Sequence, residues 1–283
     1  MNISFLDFWD DFDYNNNFFA DLLTSMGSKY KIIPYSDKHT NVLIYSCFGT
    51  NHYNVNRTKI KKIFYTGENI RPNYNECDYS LSFDFPDCGG RNIRLPLWLL
   101  QIDWFEKINY QNPKFVIPTN ELKVSRFSSK PKTKFCCIVF NNPIANRISI
   151  LEKLSRYKSI DCYGKPFRNW FYGEDKKYEV ISDYKFNICF ENGIYPGYYT
   201  EKIIHAKVAG CVPLYWADEK CANDFNTKSF LNLNNFRDMD SFIEKIIELD
   251  NNDEMYNNIK NEYLFEGKEP SLESIKISLE TIL

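Results

Sequence analysis

Two short clusters hold residue types suited to a phosphorylated, hydroxyl-rich ligand. They are Glu191-Asn192-Gly193 and Tyr198-Tyr199-Thr200-Glu201-Lys202. An apolar run, 186–190, precedes them and reads as a strand, and a loop with Gly193, Pro196 and Gly197 separates them. Thr200 is of the right type to cap a helix over 200–209, which places Glu201 and Lys202 in its first turn. Gly210 suits the end of that helix, and 212–216 returns as a strand. A helix N-terminus then faces outward at the carboxyl end of a parallel sheet, where free N–H groups favour a phosphate. Lys202 adds a mobile positive charge. A carboxylate repels phosphate, so Glu201 fits the hydroxyls of a ribose better. Ordinary alternatives stand beside these readings. Glu201 could simply complement the helix dipole, and Lys202 could be a solvated surface charge. Spacing alone does not choose between them.

The elements that must carry these residues follow a strand and helix rhythm. In the first part, 3–9, 31–35, 42–48, 62–65 and 79–83 are short β-like runs, with helical spacing over 18–26. The basic, proline-containing stretch 122–134 is the best linker candidate. Beyond it, 135–140 is a continuous apolar run containing Cys136-Cys137, as a buried parallel strand requires. Helical spacing follows over 147–157, with Ile148, Leu151 and Leu154 on one face. Strands at 159–163 and 230–233 and helices at 241–249 and 271–283 complete the pattern. The rhythm predicts an α/β protein with two Rossmann-like domains facing a cleft. The expected boundaries are 1–125 and 126–283, with the last helix returning to the first domain.

Bulk properties narrow the classes. Across 283 residues the chain is 43% hydrophobic and 25% charged, with a net charge of -2. That is ordinary for a globular protein and lacks the basic field of a nucleic-acid binder. Nine cysteines show no CxxC pair, and no apolar run approaches a membrane span. The expectation is a reduced, soluble, cytoplasmic protein.

The stretch 184–216 resembles the hallmark motif of the α-1,3/4-fucosyltransferases, glycosyltransferase family 10, in their soluble bacterial form. Asp224-Phe225-Asn226, Lys228-Ser229-Phe230, the stretch 63–84 and Arg94-Leu95-Pro96-Leu97 also fit that pattern. The resemblance implies a fold of GT-B type. It implies GDP-fucose as donor, an N-acetylglucosamine-containing glycan as acceptor, and inverting transfer with an α-1,3 linkage. By the same resemblance Glu68 is the catalytic base and Arg147 contacts the donor diphosphate. Tyr198, Glu201 and Lys202 are donor-binding positions, with Glu201 at the ribose and Lys202 at the phosphates, and Asn192 belongs to the same motif. No cofactor or metal is required. Without the resemblance, Glu68 reads as a turn carboxylate capping nearby N–H groups, and Arg147 as an exposed residue in a helix's first turn.

Competing readings remain. Asp11-Phe12-Asp13 and Asp238-Met239-Asp240 match a metal-binding DxD pattern but lie near the N-terminus and at a helix start, and both read as structural. His39, His52 and His205 have no metal-ligand spacing. The same scaffold could use another sugar nucleotide, or could bind glycan or nucleotide without catalysis.

Overall fold

The computed structural model describes residues 1–107, 110, 116–169 and 174–283. The chain divides into two compact units, residues 1–116 with 270–283, and residues 117–269.

The first unit is a sheet of six parallel strands: β1 (Asn2–Leu6), β2 (Lys31–Ile32), β3 (Val42–Tyr45), β4 (Lys61–Tyr65), β5 (Tyr79–Ser82) and β6 (Asn92–Arg94). Their order is β2-β1-β3-β4-β5-β6, with Ile3 opposite Val42 and Ile44 opposite Ile63. Helix α1 (Phe18–Ser25) buries Phe18, Phe19, Leu22 and Leu23, and Asn17 caps it by accepting from Ala20 N at 2.9 Å. β1 stops sooner than its apolar run, because Asp7 takes a left-handed φ of 58° that no strand can continue through. Sequence pattern did not mark β6. It is three residues long, and its Asn92 is a poor strand former. Asn92 is retained because its buried amide bonds Ser80, Ser82 and the carbonyls of Asp84 and Pro86. A two-residue strand, β7 (Ile102–Asp103), and helix α7 (Glu273–Ile282) also belong to this unit.

The second unit opens with β8 (Ile117–Pro118). Its sheet has five parallel strands, β9 (Lys134–Val139), β10 (Ile160–Tyr163), β11 (Tyr184–Ile188), β12 (Val212–Tyr215) and β13 (Leu231–Asn232), in the order β10-β9-β11-β12-β13. Helices α2 (Ala145–Leu154), α3 (Glu174–Ile181), α4 (Lys202–Val208), α5 (Met239–Asp250) and α6 (Asp253–Asn261) accompany it. The core joins Ile138, Phe186, Ile188 and Leu214 of the sheet to Phe242 and Ile246 of α5. Period-two alternation sends Cys136 into this core and Cys137 to a second cluster, with Ile181 and Ala209. Helix α6 escaped the sequence pattern because Tyr256 is its only buried residue.

Each sheet has a reversal of strand order, between β1 and β3 and between β9 and β11. At such a point the following loops run opposite ways and leave a crevice beyond the carboxyl ends of the strands.

The stretch 122–134 is a strap of the second unit rather than a free linker. The Ser125 hydroxyl donates to the Val208 carbonyl. Lys132 Nζ donates to Ser182 O and Ala209 O, both at 2.8 Å, and Lys130 Nζ to Ser182 Oγ at 2.7 Å. These ammonium groups meet the carbonyl ends of α3 and α4, where positive charge is favoured. The division therefore falls at Val116/Ile117 and not at 125/126, and 270–283 groups with the first unit.

Gly210 closes α4 as expected. Its N–H donates to Lys207 O and that of Cys211 to Ala206 O, with Gly210 at φ 73°. A Cβ there would lie 3.0 Å from both Lys132 Nζ and Phe127 O of the strap. We expect Gly210→Ala to cost about 1–2 kcal/mol from the left-handed backbone alone, and more from the strap contact. Urea unfolding measures it, and an unchanged midpoint contradicts this account.

Candidate functional site

β11 delivers the chain to a buried carboxylate. Ladder pairing continues one residue past the strand, with Cys189 N donating to Leu214 O at 2.9 Å. Glu191 follows Phe190 and is fully buried. Its Oε1 accepts from Thr200 N and from the Tyr215 hydroxyl, both at 2.8 Å. Its Oε2 accepts from Thr200 Oγ1 at 2.7 Å and from Lys202 Nζ at 3.3 Å. Four donors from the turn before α4, its first residue and the end of β12 thus converge on one side chain. A buried carboxylate needs this saturation, since an unpaired one costs several kcal/mol.

Glu191 changes the expected role of Thr200. Its hydroxyl is directed to Glu191, so it does not cap α4, and the cap position falls to Glu201, which makes no capping bond. Lys202 is the first residue of α4 and is not a freely mobile charge. It donates to Thr200 Oγ1 at 2.9 Å and lies 3.6 Å from Glu201. Burial alone would lower its pKa, but Glu191, Glu201 and Tyr198 outweigh burial and hold the ammonium above its usual value. Burial also disfavours the Glu201 carboxylate, yet the positive charges beside it, Lys202 first and then Lys177, pull it down to about 2. Both groups are therefore charged near neutral pH. Tyr198 is buried beside them, and Asn192 is exposed on the loop after Glu191.

Arg147 is not the exposed first-turn residue of its ordinary reading. It is 2% exposed, in the first turn of α2. Its Nε donates to Phe190 O at 3.2 Å, its Nη2 bonds the same carbonyl, and its Nη1 donates to Asn142 O at 3.0 Å. The guanidinium thus grips the peptide just before Glu191. Burial lowers its pKa, and Glu191, Tyr198 and Glu201 act against that. Arg147 follows β9 and Glu191 follows β11, the two strands flanking the reversal in this sheet. Arg147, Tyr198, Glu201 and Lys202 are therefore gathered at one crevice. The residue that organises them, Glu191, had no assigned role in the sequence reading. Its signal was an acidic residue directly after a buried strand.

Glu68 belongs to the first unit. It follows β4, where Thr66 Oγ1 donates to Glu68 O at 2.8 Å and accepts from Glu68 N at 3.1 Å, a local turn. Gly67 fits against Leu97 and the Tyr65 hydroxyl, and a Cβ there would lie 3.0 Å from Leu97 and 3.2 Å from Tyr65. The backbone is fixed while the side chain is half-buried, and among the described residues no N–H group bonds the carboxylate. Glu68 is therefore not a capping carboxylate.

Three of the four carboxylates of the acidic pairs have structural partners. Asp238 caps α5 through Ser241 N at 2.8 Å, and Asp240 pairs with Lys153 at 2.7 Å. Asp13 accepts from Asn15 N at 2.8 Å. Among the described residues, no three His, Cys, Asp or Glu residues form a metal-binding group, and no helix is long and apolar enough to cross a membrane.

Comparison with known proteins follows this geometry. Residues 3–101 match the Alpha-(1,3)-fucosyltransferase FucT N-terminal domain, and residues 128–263 match the Glycosyltransferase family 10 (fucosyltransferase) C-terminal region. The chain is 31% identical over 255 residues to the alpha-(1,3)-fucosyltransferase FucT of Helicobacter pylori, covering 82% of this chain and 49% of that relative. It thus spans about half the length of that relative. A crystal structure of an α1,3-fucosyltransferase superposes with a TM-score of 0.78 at 27% identity, covering 99% of this chain and 89% of that one. An α1,3-fucosyltransferase crystallised with GDP-fucose superposes at 0.75 with 25% identity and the same coverage. The fold is of GT-B type, as the sequence implied.

His205 supplies a test of the electrostatics. It is buried on α4, with Lys177 Nζ 2.9 Å from its Nδ1, so Nδ1 accepts and the ring is neutral. Burial first, then Lys177 and Lys202, push its pKa well below the usual imidazole value, against Glu201. The unfolded chain takes up a proton near pH ~6.5 where the folded chain does not, so stability falls as pH drops below that value. We expect a loss of up to about 1.4 kcal/mol per pH unit, largely absent in His205→Gln. Urea unfolding at about pH 7.5 and about pH 5.5 measures it, and an equal loss in both proteins contradicts the assignment.

Proposed function

The chain belongs to glycosyltransferase family 10, the fucosyltransferases, and we propose that it transfers L-fucose from GDP-fucose to an N-acetylglucosamine-containing glycan in α-1,3 linkage. The observation that carries this reading is the crevice between β9 and β11. There two cations, Arg147 and Lys202, are held beside the ionised Glu201. The relative crystallised with GDP-fucose supports the donor.

The proposed reaction is a single inverting displacement. The acceptor hydroxyl oxygen forms a bond to the anomeric carbon of fucose as the bond from that carbon to the β-phosphate oxygen breaks. GDP leaves with the electron pair, and Glu68 takes the hydroxyl proton. The sugar gains oxocarbenium character while negative charge grows on the diphosphate. Lys202 meets that charge as a point charge and Arg147 as a planar fork. Both are positioned before the reaction, so little reorganisation is needed as charge develops. Glu201 accepts from the ribose hydroxyls, and Tyr198 and Asn192 complete the donor contacts. These two cations supply the charge stabilisation, so the proposal requires no metal or cofactor. The nine free cysteines suit a reducing compartment such as the cytoplasm.

Glu68→Gln in a donor-binding assay tests the whole reading. We expect GDP-fucose to raise the melting temperature of wild type and variant alike, and UDP-sugars to do so much less. Transfer by the variant should fall by about 10²–10⁴-fold. Equal shifts with GDP- and UDP-sugars contradict the donor, and full transfer by Glu68→Gln contradicts the base.

A further inference from the structure

The first unit has its own reversal, between β1 and β3, and the loops that follow those strands are clamped together by one carboxylate. The Asp7 side chain is fully buried. Its Oδ1 accepts from Asn51 N at 3.1 Å and Asn51 Nδ2 at 2.8 Å, and its Oδ2 from His52 N at 2.8 Å. His52 Nδ1 lies 2.7 Å from the same Oδ2. Asp7 reaches these groups only through its left-handed backbone, and Gly49 only because it has no side chain: a Cβ there would lie 2.4 Å from Asp7 Oδ1. Such strain persists where the surrounding structure fixes it, and it concentrates at ligand sites.

The clamped loop displays aromatic rings. Phe48 is 50% exposed and stands edge-on to Trp9, with ring centres 6.2 Å apart. Tyr53 is 60% exposed and lies 4.2 Å from the His52 ring, which stacks on Tyr45 at 4.2 Å. Exposed rings are ordinary singly. Two on a rigid loop beside a crevice are less so. The loop over 47–56 carries no Lys, Arg, Asp or Glu, but Thr50 and Asn51 are exposed between the rings and Asn54 just after Tyr53. Aromatic faces among neutral amides and hydroxyls suit a neutral polyhydroxyl ligand, whose C–H faces pack on rings while its hydroxyls bond the amides. They do not suit an anion or a charged peptide. The loop is also continuous with the proposed base. β3 neighbours β4 in the sheet, and the thiol of Cys47, at the start of the loop, is pushed up by burial and by the charge of Glu68.

We propose that Phe48 and Tyr53 form the platform on which the acceptor glycan packs, held in register with Glu68 by the Asp7 clamp. This inference rests on the fucosyltransferase reading, and it names residues for the acceptor, which that reading leaves unassigned.

The test is initial-rate kinetics with GDP-fucose and N-acetyllactosamine for Phe48→Ala, Tyr53→Ala and the conservative variants Phe48→Tyr and Tyr53→Phe. Loss of each ring should raise the acceptor KM about tenfold, the scale of a buried aromatic contact. The melting shift produced by GDP should stay as in wild type, and the conservative variants should keep the wild-type acceptor KM. An active wild type with an unchanged acceptor KM in both alanine variants overturns the platform and leaves the fucosyltransferase reading intact. So does an equal rise in the conservative variants, which would mark a packing role. A wild type that transfers no fucose overturns the functional reading, and the platform with it.

Discussion

A single buried carboxylate, Glu191, determines the local structure of the second unit's crevice. Its four hydrogen bonds come from Thr200, Tyr215 and Lys202, which lie on the turn before α4, on β12 and at the start of α4. Each hydrogen bond to a charged group contributes roughly 1.5–3 kcal/mol, against a desolvation cost of several kcal/mol, so the carboxylate is tolerable only when all its partners are present. That requirement fixes the loop conformation. It takes Thr200 away from helix capping, keeps Lys202 protonated and close, and sets the Phe190 carbonyl where Arg147 can grip it.

The two units use the same device at equivalent places. Both sheets are parallel with a reversal after the first strand pair, and in each a buried acid ties down a loop beside that reversal. In the second unit the acid is Glu191, and the cations beside it stand at the starts of α4 and α2. In the first it is Asp7 and its loop presents rings. A strand end at a reversal exposes backbone donors and leaves space for a ligand, so a saturated carboxylate there trades stability for position.

Much of this was legible in the sequence. Apolar runs located five strands of the first unit and all five of the second unit's main sheet, because buried parallel strands are written as continuous hydrophobic stretches. Gly210 was readable from helix-ending chemistry alone. Arg147, Glu201 and Lys202 were readable as candidates only with the family motif beside them. What escaped depended on tertiary context. Thr200 has the right chemistry for a cap, but a carboxylate nine residues earlier claims its hydroxyl. The strap over 122–134 has a linker's composition, yet its lysines are spent on the carbonyl ends of two helices. Asp7 and Gly49 are unremarkable letters until the fold brings them together.

The account's central claim is that Glu191 builds the proposed donor site by geometry rather than by charge, and Glu191→Gln separates the two. An amide nitrogen replacing Oε1 would face the Thr200 N–H, and one replacing Oε2 would face the Lys202 ammonium, so either orientation leaves a donor unanswered. The change also removes a negative charge near the proposed phosphate site, which by electrostatics alone would strengthen binding. Calorimetric titration of GDP into the folded variant decides between them. The account requires affinity at least about tenfold weaker than wild type, roughly 1.4 kcal/mol. Unchanged or tighter binding in a folded Glu191→Gln protein would contradict it.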